Sequence, residues 1–432
     1  MALMNCRVSN FLFALITILP LSQSSICLHS ELTASPNEQW VSTWTTAMQI
    51  ADSSFSNQTI RMIVRTTLGG DQVRIRLSNF YGTETLPVGA THIGLYKQGP
   101  AIVGGTDRQL TFSGRNSTLI PPGAYVISDP VRLDVPQLGQ LAISVYLPER
   151  TGVVTGQGVG LQTTYISPAG DFTKEAEMPV SATSQSYYWL AEVYIARPTA
   201  VPLIVAFGDS ITNGTYSTPN TNRSWPSVLG ELLLVRSANS QVSVVNQGVG
   251  GNRILLPAHD TYSSNAVARF DRDALDHPGV KTVIFLEGIN DIGSPPGPGG
   301  KHVTAPDLIA AAQQIITRCH LRGVKIVGGT LVPFAGAPYF SENGEVTRKA
   351  FNQWIRDSGS FDAVIDFEQA VRDPKQTDRF LPLFDCGDHL HPSDAGYHAM
   401  AVAAAAVLFK HEPWMAANRV RPEGARRELG MR

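Results

Sequence analysis

Two periodicities divide the chain. Over residues 40–195 apolar positions recur at every second residue: Val73, Ile75 and Leu77 interleave with Arg74, Arg76 and Ser78, and Leu141, Ile143 and Val145 with Ala142, Ser144 and Tyr146. Successive side chains of a strand point to opposite faces, so this alternation marks strands with one face buried. Turns rich in Gly, Asn, Asp and Pro separate the runs, and no helical pattern intervenes. The expectation is a jelly-roll-like β-sandwich over residues 36–197, closed by the hinge Arg197-Pro198-Thr199.

Beyond the hinge the pattern changes. Continuous apolar runs at residues 203–207, 242–245, 281–286, 324–328 and 363–367 read as strands buried on both faces. Helical stripes lie between them. Trp225, Val228, Leu229, Leu232 and Leu233 form one; Thr304-Ala-Pro-Asp307 opens another, carrying Ile309, Ala312, Ile316 and Cys319 to a stop at Gly323. Residues 394–409 make an alanine-rich last helix. Strand–helix alternation predicts an α/β domain over residues 200–415, a doubly wound parallel sheet with helices on both faces. A length of 432 residues also exceeds what one core normally holds.

The chemistry gathers where the apolar runs end. Gly208-Asp209-Ser210-Ile211 follows the first run, so a sharp turn lifts Ser210 out at the carboxyl end of the sheet, where open α/β folds keep their ligand crevice. Such a tripeptide also makes plain turns and helix caps, and Asp209 suits that structural role by bonding nearby amides. Three further segments change the weight: Asn246-Gln-Gly248-Val-Gly250-Gly251-Asn252, Glu287-Gly288-Ile289-Asn290-Asp291, and Phe384-Asp385-Cys386-Gly387-Asp388-His389-Leu390-His391-Pro392. A serine hydroxyl needs a base to take its proton as it attacks, and an imidazole oriented by a carboxylate supplies one near neutrality. Two such couples are available, Asp388 with His391 and Asp385 with His389. The oxyanion needs donors already in place, and the Ser210 N–H, the Gly251 N–H and the Asn290 side-chain amide are the natural set. Rival motifs fail. Thr212 stands where a G-x-S-x-G elbow wants Gly, Arg253 where a dinucleotide fingerprint wants its third Gly, and His302 where a P-loop wants Ser or Thr. His411-Glu412 lacks a second histidine, so neither a metal nor a cofactor is indicated.

In order and content these four blocks resemble the SGNH hydrolases, also called GDSL esterases, with Ser210, Gly251, Asn290 and His391 at the four letters of the name. The resemblance covers roughly residues 201–409 and is nearest to secreted members that include accessory esterases of xylan breakdown. It implies a flavodoxin-like sheet and an acyl-serine mechanism, with Ser210 as nucleophile, His391 as base, Asp388 as its orienter, and Ser210, Gly251 and Asn290 as the oxyanion hole. It favours Asp388 over Asp385 through the family's D-x-x-H spacing, against a helix start at Pro392-Ser393-Asp394. The implied substrates are small-molecule or polysaccharide-borne esters of short acyl groups. Lysophospholipid or aryl-ester cleavage is the alternative, and a carbohydrate-binding role for the β-sandwich is a third.

Charge and targeting narrow the partners. A net charge of −2 leaves no footprint for nucleic acid or an anionic membrane. Arg7, an uncharged run over residues 11–21 and the small polar residues 22–25 read as a signal peptide within residues 1–30, too short to span a bilayer. The mature protein is therefore expected to be secreted or periplasmic, with no membrane insertion. Cys27 lacks the small-residue approach of a lipid-modified cysteine, and Cys319 and Cys386 are expected as free thiols. Sequons stand at Asn57, Asn116, Asn213 and Asn222, and a glycan at Asn213 would obstruct Ser210. Of Trp44, Tyr216 and Trp225, which could stack on a sugar, most are expected in the core. The Gly/Pro-rich stretch between Asp291 and Thr304 reads as a loop rimming the crevice, and residues 416–432 as a flexible tail. Oligomeric state leaves no mark on the pattern.

Overall fold

The computed structural model describes residues 38–236, 241–257, 263–293 and 302–412. The expected signal peptide, the tail and residues 294–301 of the Gly/Pro-rich loop lie outside these. Described residues up to Arg197 are strand and turn only. A five-stranded antiparallel sheet runs Gln39–Thr45, Leu190–Arg197, Gly70–Ser78 and Tyr125–Ile127, with Val131–Val135 also paired to Gly70–Ser78. A seven-stranded sheet is built around Gln58–Arg65, Gln140–Leu147 and Ala90–Gln98. Their apolar faces share one core: Val73, Ile75 and Leu77 of the first meet Ile60, Met62, Val64, Leu141, Ile143 and Val145 of the second. The period-two pattern is thus spent on a single buried layer, while Arg74 and Arg76 lie half-buried on the opposite face of their sheet.

A second core belongs to a five-stranded, all-parallel sheet. Its strands, in chain order, are Leu203–Gly208, Ser243–Gly248, Val280–Leu286, Lys325–Gly329 and Ala363–Ile365, arranged 2-1-3-4-5. That is the flavodoxin-like order, with its switch point at the first strand. Crossovers are right-handed, so reversing direction at the first strand sends Trp225–Arg236 to one face and Ala305–Leu321 with Glu342–Asp357 to the other. Asp394–His411 packs beside Trp225–Arg236. The Thr304 cap forms as its sequence suggests, Asp307 accepting from the Thr304 N–H and hydroxyl. Two boundaries differ from expectation. The last strand stops at Ile365, because the Asp366 side chain accepts from Gln369 N and caps the short helix Phe367–Val371. The final helix continues to His411. No helix among the described residues is long and apolar enough to cross a membrane.

The two cores do not make two separate bodies; they form one compact unit. The reason lies at the sheet edge. Ser243–Gly248 is an outermost strand, and an unpaired edge leaves alternate carbonyls without donors. Each is met by a side chain from the strand-rich region: Thr67 Oγ1 donates to Val244 O (2.7 Å), Thr45 Oγ1 to Asn246 O (3.1 Å) and Gln157 Nε2 to Gly248 O (3.0 Å). Nearby, the buried Glu192 carboxylate joins the regions, accepting from the His277 ring (2.8 Å) and pairing with Arg76 (2.9 Å). Burial alone would raise its pKa, but His277 and Arg76 hold it down at about 2. Thr67→Val keeps the shape and orphans the Val244 carbonyl; it is expected to destabilise the protein by about 1–3 kcal/mol, measured by chemical denaturation.

Candidate active site

Register sets the site. Gly208 pairs with both Gly248 and Leu286, so these three adjacent strands end level. Ser210, Gly251 and Asn290 follow within four residues of those ends. At the first end, the Asp209 carboxylate accepts from Ile211 N (2.9 Å) and caps the helical turn Ser210–Asn213, the structural role its sequence suggests. A Cβ on Gly208 would stand 2.2 Å from Thr212 Oγ1 and 2.4 Å from Leu286 O, so only glycine lets the chain turn this sharply. The first-turn N–H of Ser210 is left without an intrahelical acceptor.

Across the crevice, Asp388 Oδ1 accepts from the backbone N–H groups of Leu390 (2.9 Å) and His391 (2.8 Å). Its Oδ2 accepts from His391 Nδ1 (2.6 Å), which leaves Nε2 as the acceptor for the Ser210 hydroxyl at 2.8 Å. Asp385 and His389 are also bonded, at 2.6 Å, but the His389 ring is half exposed and no hydrogen bond joins it to Ser210. Spacing alone leaves two imidazole–carboxylate couples; the fold connects one of them to the serine.

The donor side is held as closely. Gly251 has φ +66°, a left-handed conformation that favours glycine and turns its loop over the strand end. Asn290 Nδ2 donates to Asn252 O (2.9 Å), and Asn290 Oδ1 accepts from Tyr339 OH (3.2 Å). These two bonds fix which way the amide faces and leave one N–H of Nδ2 for a ligand. Asp291 accepts from Ile254 N (2.6 Å) and Leu255 N (3.1 Å), so the Asn-Asp pair ties down the Gly251 loop from two sides.

Residues 206–399 match the family model of the GDSL-like lipase/acylhydrolase family. The chain carries a GDSL-like lipase/acylhydrolase domain, a serine ester hydrolase. Among solved structures it is similar to an aryl esterase of M. smegmatis (16% identity, 48% of this chain and 97% of that one, TM-score 0.37). It is similar also to a carbohydrate acetylesterase of Sinorhizobium meliloti (14%, 48% and 97%, 0.37). A GDSL-like lipase of Bacteroides thetaiotaomicron matches at 16% identity over 47% of this chain and 85% of that one, with TM-score 0.34. No curated protein sequence matches the chain.

Within the GDSL domain the carboxyls divide by environment. Burial works to raise the Asp388 pKa, but the hydrogen bonds from the His391 ring and from the His391 and Leu390 N–H groups hold it well below the usual range. Burial instead wins at Asp291, pushed up to about 6, and at Asp209, pushed up to about 7. Asp385, Cys386 and Asp388 bring potential metal-ligand atoms together. These atoms are already committed: the carboxylates to the two histidines, and the Cys386 thiol as donor to Asp388 Oδ1 (3.2 Å). Burial lifts that thiol to about 11, which keeps it protonated. Cys319 and Cys386 are both free. The Asn213 sequon is buried, its amide nitrogen donating to Val159 O (2.8 Å). Of the three aromatics, Trp225 is core and Trp44 packs against the first core, while Tyr216 is 64% exposed with its ring 5.3 Å from that of His391.

Tyr339 escaped sequence reasoning, since a lone aromatic between a strand and a helix carries no catalytic pattern. Tyr339→Phe removes the donor that orients Asn290. The expected result is a kcat lower by roughly 2–10-fold, the worth of one ordinary hydrogen bond, with KM unchanged in steady-state ester hydrolysis.

Proposed function

We propose that this protein is a secreted carboxylic-ester hydrolase that works through an acyl-serine on Ser210. The observation that carries the reading is the continuous line Ser210 Oγ–His391 Nε2–Asp388 Oδ2, with links of 2.8 and 2.6 Å, while two further candidate donors follow the level ends of the neighbouring strands. Both links lie within the reach a general base needs. Ser210 Oγ attacks the ester carbonyl carbon while its proton passes to His391 Nε2. The carbonyl oxygen becomes an oxyanion between the Ser210 N–H, the Gly251 N–H and the free N–H of Asn290. Collapse of this intermediate breaks the bond to the alcohol oxygen, which leaves with the proton from His391. Water then adds to the acyl-serine with His391 again as base, and the carboxylic acid departs as Ser210 regains its proton. Asp388 holds the ring and stabilises the imidazolium formed at each stage.

The preferred substrates in this reading are short acyl esters borne on carbohydrate. Two features support it: the resemblance of the four motif blocks to secreted polysaccharide esterases, and the exposed Tyr216 ring beside His391, a surface on which a sugar face can rest. The strand-rich region is read as a jelly-roll-like β-sandwich that serves as a wall of the enzyme, because its side chains complete the edge of the catalytic sheet. Secretion rests on the leader pattern of residues 1–30.

p-Nitrophenyl acetate hydrolysis tests the site. Ser210→Ala and His391→Ala are each expected to lose roughly 10⁵-fold or more in kcat. A wild-type rate in either would refute the assignment. His389→Ala is expected to keep most activity, and a fluorophosphonate should label Ser210 in the parent enzyme, as peptide mapping would detect. Comparing acetylated xylan with long-chain aryl esters and lysolecithin tests the substrate; preference for the lipid would overturn the carbohydrate reading.

A further inference from the structure

Arg269 is a charged side chain with no solvent exposure, set below the crevice on the short helix Ala266–Phe270. A guanidinium has five N–H donors in one plane, and here every one has an acceptor. Nε donates to Asn252 Oδ1 (2.8 Å). Nη1 donates to Gln247 O (2.9 Å) and Asp273 Oδ2 (3.3 Å), and Nη2 to Gly208 O (2.8 Å) and Glu287 Oε1 (3.3 Å). The group lies over the Phe207 ring, 3.9 Å from its centroid.

The acceptors are the point of interest. Gly208, Gln247 and Glu287 stand at the ends of three adjacent strands, and each precedes, by two to four residues, one of Ser210, Gly251 and Asn290. Asn252 adds a direct relay, since its side chain accepts from Arg269 while its backbone oxygen accepts from Asn290 Nδ2. Gly208 O also accepts from Val249 N (2.9 Å), drawing the Gly251 loop against the nucleophile strand. One rigid plane thus reaches all three segments whose relative placement an oxyanion hole requires, two through the carbonyls of Gly208 and Gln247 and the third through the Glu287 side chain. Burying a lone cation is costly, and an apolar side chain could fill the same space. What an apolar side chain could not do is bind three strand ends at once.

We infer that Arg269 is a positioning residue for ester hydrolysis: it fixes the Gly251 loop and Asn290 relative to Ser210, so that the donors converge on the developing oxyanion. This rests on the reading of Ser210 as nucleophile given above. Lysine cannot replace it, because an ammonium offers three donors from one point rather than a planar fork. Donors misplaced by about 1 Å cost on the order of 10² in rate, and the loss falls on the transition state rather than on ground-state binding.

The test uses full-length Arg269→Lys and Asn252→Ala, with active sites counted by fluorophosphonate titration so that misfolded protein does not count. Per titrated site, Arg269→Lys should lose about 10²-fold in kcat with little change in KM, and Asn252→Ala about tenfold. Inhibition by phenylboronic acid, whose tetrahedral adduct needs the same donors, should weaken in step with kcat. A merely structural role would lower the titre and the melting temperature but leave per-site kcat and boronate affinity at wild-type values, and that result overturns the inference. If Arg269→Lys does not fold, Asn252→Ala decides by the same two readouts. Ser210→Ala is run in parallel: turnover at the parent rate there would show that the nucleophile assignment, and not the clamp, had failed.

Discussion

Everything at this site depends on three parallel strands ending at one level. Parallel pairing fixes the register between Gly208, Gly248 and Leu286, and each strand then needs only a short, particular turn to deliver its functional group. The turns differ because the groups differ. A serine on a capped helical turn presents both a hydroxyl and an N–H. A glycine with positive φ presents backbone alone, and an asparagine braced by Tyr339 presents a side-chain amide. The histidine arrives from outside the sheet, on the loop before Asp394–His411, and its carboxylate comes with it three residues earlier. Base and orienter therefore move as one unit, while nucleophile and donors belong to the sheet.

The electrostatics follow the same division. Asp388 is half-buried and surrounded by donors, so it stays ionised and can orient an imidazole. Asp209 and Glu287 are sealed below the crevice, where burial pushes Asp209 up and burial with the neighbouring Asp209 carboxyl pushes Glu287 well above the usual range. One arginine serves that buried region, and its hydrogen bonds are spread over backbone carbonyls as well as carboxylates. The charge is divided between holding main chain in place and pairing with acids.

Much of this was legible in the sequence, and the part that was not has a physical cause. Apolar runs located the five parallel strands because both faces are buried, which leaves little polar signal to confuse them. Three chemistry-bearing residues follow those runs, so Ser210, Gly251 and Asn290 could be picked out by place as well as type, while His391 stood out by its nearby carboxylate. Residues acting through another group were invisible. Tyr339 meets Asn290 across 49 positions, and Arg269 meets Gly208 across 61, so neither contact leaves a local pattern. The two histidines of the last motif could be ranked only by resemblance, since both have a carboxylate one helical turn away and both bonds form in the fold. Sequence also suggested two domains, and the alternating carbonyl bonds that merge them arise from threonines and a glutamine with no distinguishing context.

That seam has a bearing on how such a protein could have been assembled. A binding module joined through a flexible linker can be exchanged between enzymes as a cassette, because nothing in its host depends on it. Here Thr45, Thr67 and Gln157 come from three separate stretches of the strand-rich region, and all must be in place before the neighbouring sheet loses its sticky border. Recombination at the hinge would hand the catalytic half a partner without those donors. A replacement for either half would have to bring, or accept, the same three donors.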